Sequence, residues 1–376
     1  MSDYLKFWLI PSGIVAIGIA GFILGGNWVW LGIATFPVLA LIDSFIPRNM
    51  KPRQMTNSFM STAPVWIASI GSLVIYLFAA HYIATGNPTL WQIVGSFASV
   101  MWISVVPGGP ASHELWHRRH TPSRMLGQIT QICMLDGIRD IGHVAGHHIE
   151  VCTPADGDTA PRGQNLYWFA LHELYVSFRI GIELECNSLR KRGLSVWHWR
   201  NRVWAWLLVQ VLFQSLVYMV GGWAGVALAL SGMLAARLWV ESFNYFQHYG
   251  LIRLPGARIG HRHVWNHMSE LSRIVSFEIT NHAGHHQDSH MPYQKLMPHQ
   301  DQIPMPSLFV CFFAALIPPI WHEWIIKPAL KRWDIEYATE EEQTLARESN
   351  RAAGWEDWLA NDDPATRTTR FTTVGC

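Results

Sequence analysis

Residues 7–46 read FWLIPSGIVAIGIAGFILGGNWVWLGIATFPVLALIDSFI, and Asp43 is the one ionisable side chain among them. A bilayer helix needs about 20 mostly apolar residues. The stretch holds two such runs, Phe7–Leu24 and Trp28–Ile46, and Gly25-Gly26-Asn27 separates them as a turn. A chain that begins this way is expected to fold in lipid.

The rest of the sequence agrees. Of 376 residues, half are apolar and 15% are charged, against about 25% charged in a soluble domain. Further runs of the required length lie at Ala63–Ala84, Leu90–Pro107, Val203–Val220 and Trp223–Val240, the last two parted by Gly221-Gly222. The first run has no A-x-A-like cleavage site before the second, so it is expected to stay as a span rather than leave as a signal peptide. Trp28, Trp30, Trp91, Trp204 and Trp206 sit near run ends, as an interfacial aromatic belt does. The predicted fold class is an all-α integral membrane protein of six transmembrane helices with a helical cap.

Orientation follows from the basic residues. Arg48, Lys51 and Arg53 lie between the second and third runs, while the turns at 25–27, 85–88 and 221–222 carry none. The positive-inside rule makes that linker cytoplasmic, and with it the N-terminus, residues 112–202 and everything after residue 240. The expected layout is four spans in 1–111, a cytoplasmic region in 112–202, two spans in 203–240, a second cytoplasmic region in 241–333 and a polar tail in 334–376. A seventh apolar stretch, Ser307–Ile326, is broken by Pro318-Pro319 and reads as a buried or surface helix pair. Glu340–Arg351 reads as a solvated helix, and the chain from Asp362 as a loose tail.

Composition excludes several functions. A net charge of +1 argues against a nucleic-acid partner. Five scattered cysteines without C-x-x-C support neither a disulfide framework nor a thiolate cluster, and neither G-x-G-x-x-G nor a P-loop occurs. Electrons for any redox chemistry must come from another protein.

Histidine is the unusual residue, at 19 of 376. SHELWHRRH at 112–120 places His113 and His117 at i and i+4, on one helix face. HVAGHH supplies His143, His147 and His148, NHAGHH supplies His282, His285 and His286, and NYFQHYGL supplies His248 just after the sixth run. The topology, derived without them, puts all nine on one side of the membrane. H-E-x-x-H alone is a zinc-protease signature, but one catalytic zinc takes about three protein ligands and would leave most of these idle. Nine imidazoles suit two ions with four or five ligands each. Imidazole suits Zn, Cu, Fe and Ni alike, so the ligands alone do not choose the metal.

In order and spacing these boxes resemble the membrane-bound non-haem diiron oxygenases, which include alkane hydroxylases, alkyl-aromatic methyl-monooxygenases and fatty-acid desaturases. NYFQHYGL is similar to a hydroxylase motif that desaturases lack. GHHIEVCTPADGDTAPRGQ, EITNHAGHH and MPSLFVCFFAALIPPIW resemble most the xylene and p-cymene methyl-monooxygenases. The resemblance runs from the first apolar run to about Trp355. Gln247 stands where alkane enzymes carry Glu, and Gly284 where they usually carry Asp; both departures fit the alkyl-aromatic branch.

The resemblance implies two iron ions held by the nine histidines, with His120 outside the set. It implies O2-dependent hydroxylation of a hydrocarbon methyl group in a bacterial-type inner membrane. It also implies an NADH-dependent flavin and [2Fe–2S] reductase as electron donor, or rubredoxin in the alkane alternative. Carboxylates expected to orient ligands are Glu114, Asp140, Glu241 and Glu278, with Asp156, Asp158 and Asp288 as further candidates. Trp102, Phe97, Phe243 and Trp239 are expected to be packing rather than pocket. Arg118, Arg119, Arg190, Lys191 and Arg192 would meet either an acidic partner or lipid head groups. Competing readings are an intramembrane zinc protease, an acyl-chain desaturase and a metal store.

Overall fold

The computed structural model describes residues 2–300 and 303–360. Its helices are α1 Asp3–Leu24, α2 Leu31–Phe45, α3 Ser58–Thr85, α4 Leu90–Ile103, α5 Gly109–Trp116, α6 Thr121–Thr130, α7 Leu166–Lys191, α8 Arg202–His248, α9 Glu270–Val275, α10 His282–Gln287, α11 Leu308–Ala315, α12 Lys327–Glu336 and α13 Glu340–Ala352. Among the described residues no strand forms; two isolated bridges join Arg48 to Ser269 and Asn266 to Pro304.

Among the described residues, five helices are long and apolar enough to cross a membrane: Asp3–Leu24, Gly26–Phe45, Ser58–Thr85, Leu90–Trp116 and Arg202–His248. The last is a hairpin and supplies two crossings. Gly222 sits at φ 58, ψ −160 in its middle, a conformation glycine adopts without the steric cost of a Cβ. Gln214 Nε2 lies 3.4 Å from Met233 Sδ. In an unbroken helix those residues would stand about 28 Å apart, so the chain reverses. Six crossings result, as the apolar runs predict.

Lipid cannot drive apolar helices together as water does, so close packing and polar contacts hold such bundles. At Gly32 a Cβ would stand 2.6 Å from Ser99 Cβ, so α2 and α4 approach backbone to backbone. There Ser99 donates its hydroxyl to the Val29 carbonyl at 2.6 Å and accepts the Ile33 N–H at 3.1 Å. The outward face stays apolar: Leu24, Trp28, Leu41, Leu90, Trp91, Leu212 and Trp223 are all exposed.

Two expectations change. Arg53 of the basic linker is buried, ion-paired with Glu278 at 2.6 Å and Glu270 at 3.0 Å. Arg48 and Lys51 remain exposed. The segment 340–351 is not a solvated helix. Glu342, Gln343, Ala346 and Asn350 of α13 are buried, and a buried Arg162–Asp334 pair at 2.6 Å, with Asn350 on Arg162 at 2.8 Å, ties α13 to the body. Polar residues satisfied in pairs are invisible to a hydropathy reading. The apolar stretch at 307–326 forms the expected helix pair, with Leu308, Phe309, Phe312 and Trp321 buried. The tail expected beyond residue 361 lies outside the described residues.

Candidate metal centre

Four elements bring the nine histidines together. The α4 helix breaks at Val106 (φ −140, ψ 117) beside Pro107, and α5 resumes with His113 and His117 on one face. The helical segment 139–150 carries His143, His147 and His148. His248 is the last residue of α8. The short helix α10 carries His282, His285 and His286. Its first N–H groups have no partner inside the helix, and Asn266 Oδ1 accepts from His282 N at 2.7 Å and Ala283 N at 3.2 Å.

The rings form two adjacent sets. His113, His117, His143, His148 and His285 make one, and His147, His248, His282 and His286 the other; within each set one ring nitrogen per residue lies within 4.8 Å of all the rest. All nine histidines predicted from the sequence fall in these two sets, and among the described residues no other histidine joins them. His120 instead faces Ser123 Oγ at 3.0 Å.

The spacing tests whether these residues fit metal ions. Nε2 pairs face one another at 3.0 Å (His113–His143), 3.1 Å (His143–His148 and His148–His285), 2.9 Å (His248–His282) and 3.0 Å (His282–His286). With metal–nitrogen bonds of about 2.1 Å, ligands at 90° stand ~3.0 Å apart and tetrahedral ligands ~3.4 Å apart. The sets therefore suit centres with more than four positions better than tetrahedral zinc. His117 Nε2 and His147 Nε2 are buried with no hydrogen-bond partner, as ligand atoms aimed at an ion would be. Burial, and then the neighbouring rings, hold His143, His282, His285 and His286 well below the ordinary imidazole range and His148 at about 3. These rings are neutral and their lone pairs are free for a metal.

His147 differs. Burial would lower it, but the Asp156 carboxylate raises it above the ordinary value. Asp156 accepts from Nδ1 of His147 at 3.0 Å. Asp158 lies 3.7 Å from the same nitrogen and 4.0 Å from His143 Nδ1. A carboxylate behind a ligating imidazole fixes its orientation and raises its basicity. These two acids of TPADGDT hold that position.

The four principal acids expected to orient ligands do not touch the rings. Glu114 pairs with Arg118 at 2.6 Å and accepts the Tyr293 N–H at 3.2 Å. Asp140 pairs with Arg202 at 2.8 Å. Glu278 joins Arg53 and Arg273 and anchors the left-handed residues Phe277 and Glu278 just before α10. Glu241 reaches the site through a chain of charges: it bonds Arg139 at 3.1 Å, and Arg139 bonds Asp158 at 3.1 Å. Asp288 closes the end of α10, its N–H on the Gly284 carbonyl at 3.2 Å, and touches no ring.

Sequence reasoning missed Asp136, Arg139, Glu173 and Arg237, the rest of that buried network. Burial would raise the Asp158 carboxyl, but Arg139 draws it below the usual range. Burial and then Asp158 push Glu173 well above it, so Glu173 keeps its proton. Arg237 was legible: one ionisable residue inside an apolar run marks a functional region.

A cavity of about 60 Å³ adjoins both sets, lined by His113, His143 and His282 with Trp116, Met134, Val240, Phe243 and Ile279, and by Asp136, Arg139, Arg237 and Asn244 at its polar end. An engineered cavity that takes benzene measures ~150 Å³, so a ring enters here only as side chains move. Phe243 lines this cavity as well as packing on Phe246 and Phe312. Trp102 and Trp239 are packing as expected, within 6.2 Å of each other beside Phe36 and Phe312, and Phe97 packs on the same core.

Comparison with known proteins identifies the family. The family model described as fatty acid desaturase matches residues 88–305. The hydroxylase component of xylene/toluene monooxygenase from Pseudomonas putida is 39% identical over 365 residues, 96% of this chain and 98% of the relative. Alkane 1-monooxygenase 1 from Pseudomonas aeruginosa is 32% identical over 277 residues, 70% of each chain. Alkane 1-monooxygenase 2 from Alcanivorax borkumensis is 25% identical over 348 residues, 88% of this chain and 91% of the relative. All nine imidazoles lie inside the matched region, and the chain belongs to the fatty acid desaturase family, alongside the xylene/toluene and alkane monooxygenases.

Proposed function

We propose that the protein is a membrane-bound diiron monooxygenase that hydroxylates the methyl group of alkyl-aromatic hydrocarbons such as toluene, xylenes or p-cymene. The observation that carries the reading is two converging imidazole sets, of five and four, beside an apolar cavity. His113, His117, His143, His148 and His285 would hold one iron and His147, His248, His282 and His286 the other. Iron bound there supplies the O2-activating redox chemistry that imidazole side chains lack.

In the net reaction one methyl C–H becomes C–OH, and the second oxygen atom leaves as water with two electrons and two protons from the donor. The chain's own part is placement. Met134, Val240, Phe243 and Ile279, with the ring of Trp116, give an apolar wall, which suits a substrate with no polar handle, and they keep water from the reacting carbon. Asp156 and Asp158 fix the His147 ring, and Arg139 holds Asp158 in place. Electrons come from a separate NADH-dependent flavin and [2Fe–2S] reductase. The exposed Arg48 and Lys51 support a cytoplasmic site in an inner membrane.

The protease reading loses its base. Glu114 is buried in an ion pair with Arg118 and has no free carboxylate for a water. Alkane hydroxylation is the second reading, favoured by the alkane 1-monooxygenase relatives. Membranes carrying the protein and a matched reductase should be fed toluene, xylenes, p-cymene and n-octane separately. Benzylic alcohols with little octanol are expected; octanol as the main product would overturn the substrate assignment.

A further inference from the structure

The cavity beside the histidines is lined mostly by buried residues, and its substrate dissolves in the bilayer. A second depression lies directly behind its wall. It is an open groove of about 760 Å³ between α7 and the α8 hairpin, lined by Leu135, Leu174, Phe178, Ile182, Trp206 and Leu234. The two share a partition. Met134 and Asp136 line the cavity, Leu135 between them lines the groove, and Arg237 lines both. Leu135 adopts a left-handed backbone conformation at φ 48, which is what turns its side chain away from those of its neighbours and into the groove. Trp206 lies flat against this turn, where a Cβ added at Gly137 would fall 1.5 Å from the indole. Phe178 meets Trp206 edge-on at 5.7 Å.

The groove's outer lip faces lipid. Leu234 is 45% exposed, and Leu207, Leu208 and Leu230 on the same hairpin are exposed with it. On the other wall α7 presents Tyr167, Leu171 and Tyr175 to the outside, a one-sided apolar stripe at helical spacing. Arg190, Lys191 and Arg192 close α7, and the exposed Trp197 and Trp199 follow. An amphipathic helix of this kind lies in the membrane interface. The Arg179–Glu183 pair at 3.2 Å marks the polar edge of the groove.

We infer that the groove between α7 and the hairpin is the lateral portal by which a small apolar hydrocarbon passes from the bilayer to the histidine cavity, with Leu135 and the Phe178–Trp206 pair as its inner gate. The inference rests on the hydrocarbon reading proposed above. The groove's place directly behind the cavity wall, across Arg237 and the 134–136 turn, commits it to substrate rather than to a permanently seated lipid tail.

The test uses the iron-loaded full chain in lipid vesicles. Leu174→Cys should be modified by a membrane-permeant maleimide, and toluene or p-cymene in the bilayer should slow that modification at least threefold. Leu174→Trp should lower kcat/KM for the same hydrocarbon about tenfold while leaving the site of hydroxylation and the iron content unchanged. Phe178→Ala should raise kcat/KM for the bulkier substrate. Labelling unaffected by hydrocarbon would overturn the portal and leave a lipid tail or nothing in the groove; so would Leu174→Trp kinetics within twofold of the wild type. If the wild type turns over none of the hydrocarbons, the proposed function fails, and the labelling result alone decides the portal.

Discussion

Replacing Asp156 by Asn tests whether the acid behind His147 is part of the metal site. Asp156 receives His147 Nδ1 at 3.0 Å through one oxygen and 3.1 Å through the other, the Thr159 hydroxyl at 2.6 Å and the Asp158 N–H at 3.2 Å. Asparagine keeps the shape and one acceptor oxygen but loses the charge. A hydrogen bond to a charged partner is worth roughly 1.5–3 kcal/mol and a neutral one about 0.5–1.5 kcal/mol. The difference of about 1–2 kcal/mol corresponds to a roughly five- to thirtyfold loss of affinity at the set holding His147, overlapping the ~10–100-fold usual for such outer carboxylates. The five-histidine set has no direct bond to Asp156 and should keep its ion. Iron retained per chain after graded chelator challenge reads the effect, and Mössbauer spectra assign it to one of two environments. The expectation is selective loss of one iron, mild in Asp156→Asn and severe in Asp156→Ala. Both variants holding two irons as firmly as the wild type would refute the role.

Three further outcomes follow from particular contacts. Gln247 donates Nε2 to the Ile279 carbonyl at 3.1 Å in a buried position; Gln247→Glu sets two acceptors face to face, should cost about 1–3 kcal/mol, and should lower the melting temperature in detergent by a few degrees. Asp334→Asn breaks the buried pair with Arg162, should cost about 3–5 kcal/mol, and should expose α13 to limited proteolysis while the transmembrane part stays folded. Burial would raise the Glu342 carboxyl, but bonds from His263 and Arg262 bring it down to about 2. Its folded value is depressed, so its contribution is complete above pH ~4.5 and is lost as pH falls towards 2; Glu342→Gln should flatten stability across that window and lower it above.

Much of the architecture was legible because lipid imposes a simple length rule. The Gly25–Asn27 and Gly221-Gly222 breaks parted the apolar runs where the structure turns. The histidines were legible because i, i+4 and adjacent pairs repeat on elements the topology brings to one side. The supporting acids were legible only in part: Asp156 and Asp158 stood among the candidates, behind four acids that do not reach a ring. Glu241 and Glu278 lie near the boxes in sequence, but they meet Arg139 and Arg53 from other elements, and long-range pairing leaves no local mark; Glu114 is taken by Arg118 at i+4, a local pair. Asp156 and Asp158 reach His147 because the 151–159 loop folds back. Phe243 faces the cavity because Val240, Asn244 and Gln247 share its side of α8, a register that composition alone does not fix.

The central claim is two iron ions in unlike imidazole sets. Metal analysis of purified protein, with Mössbauer spectroscopy of iron-57-loaded samples, tests it most directly. About two irons per chain are expected, in two environments, one lost in His248→Ala and the other in His285→Ala. A single zinc without iron, or one iron shared by all nine histidines, would contradict the account.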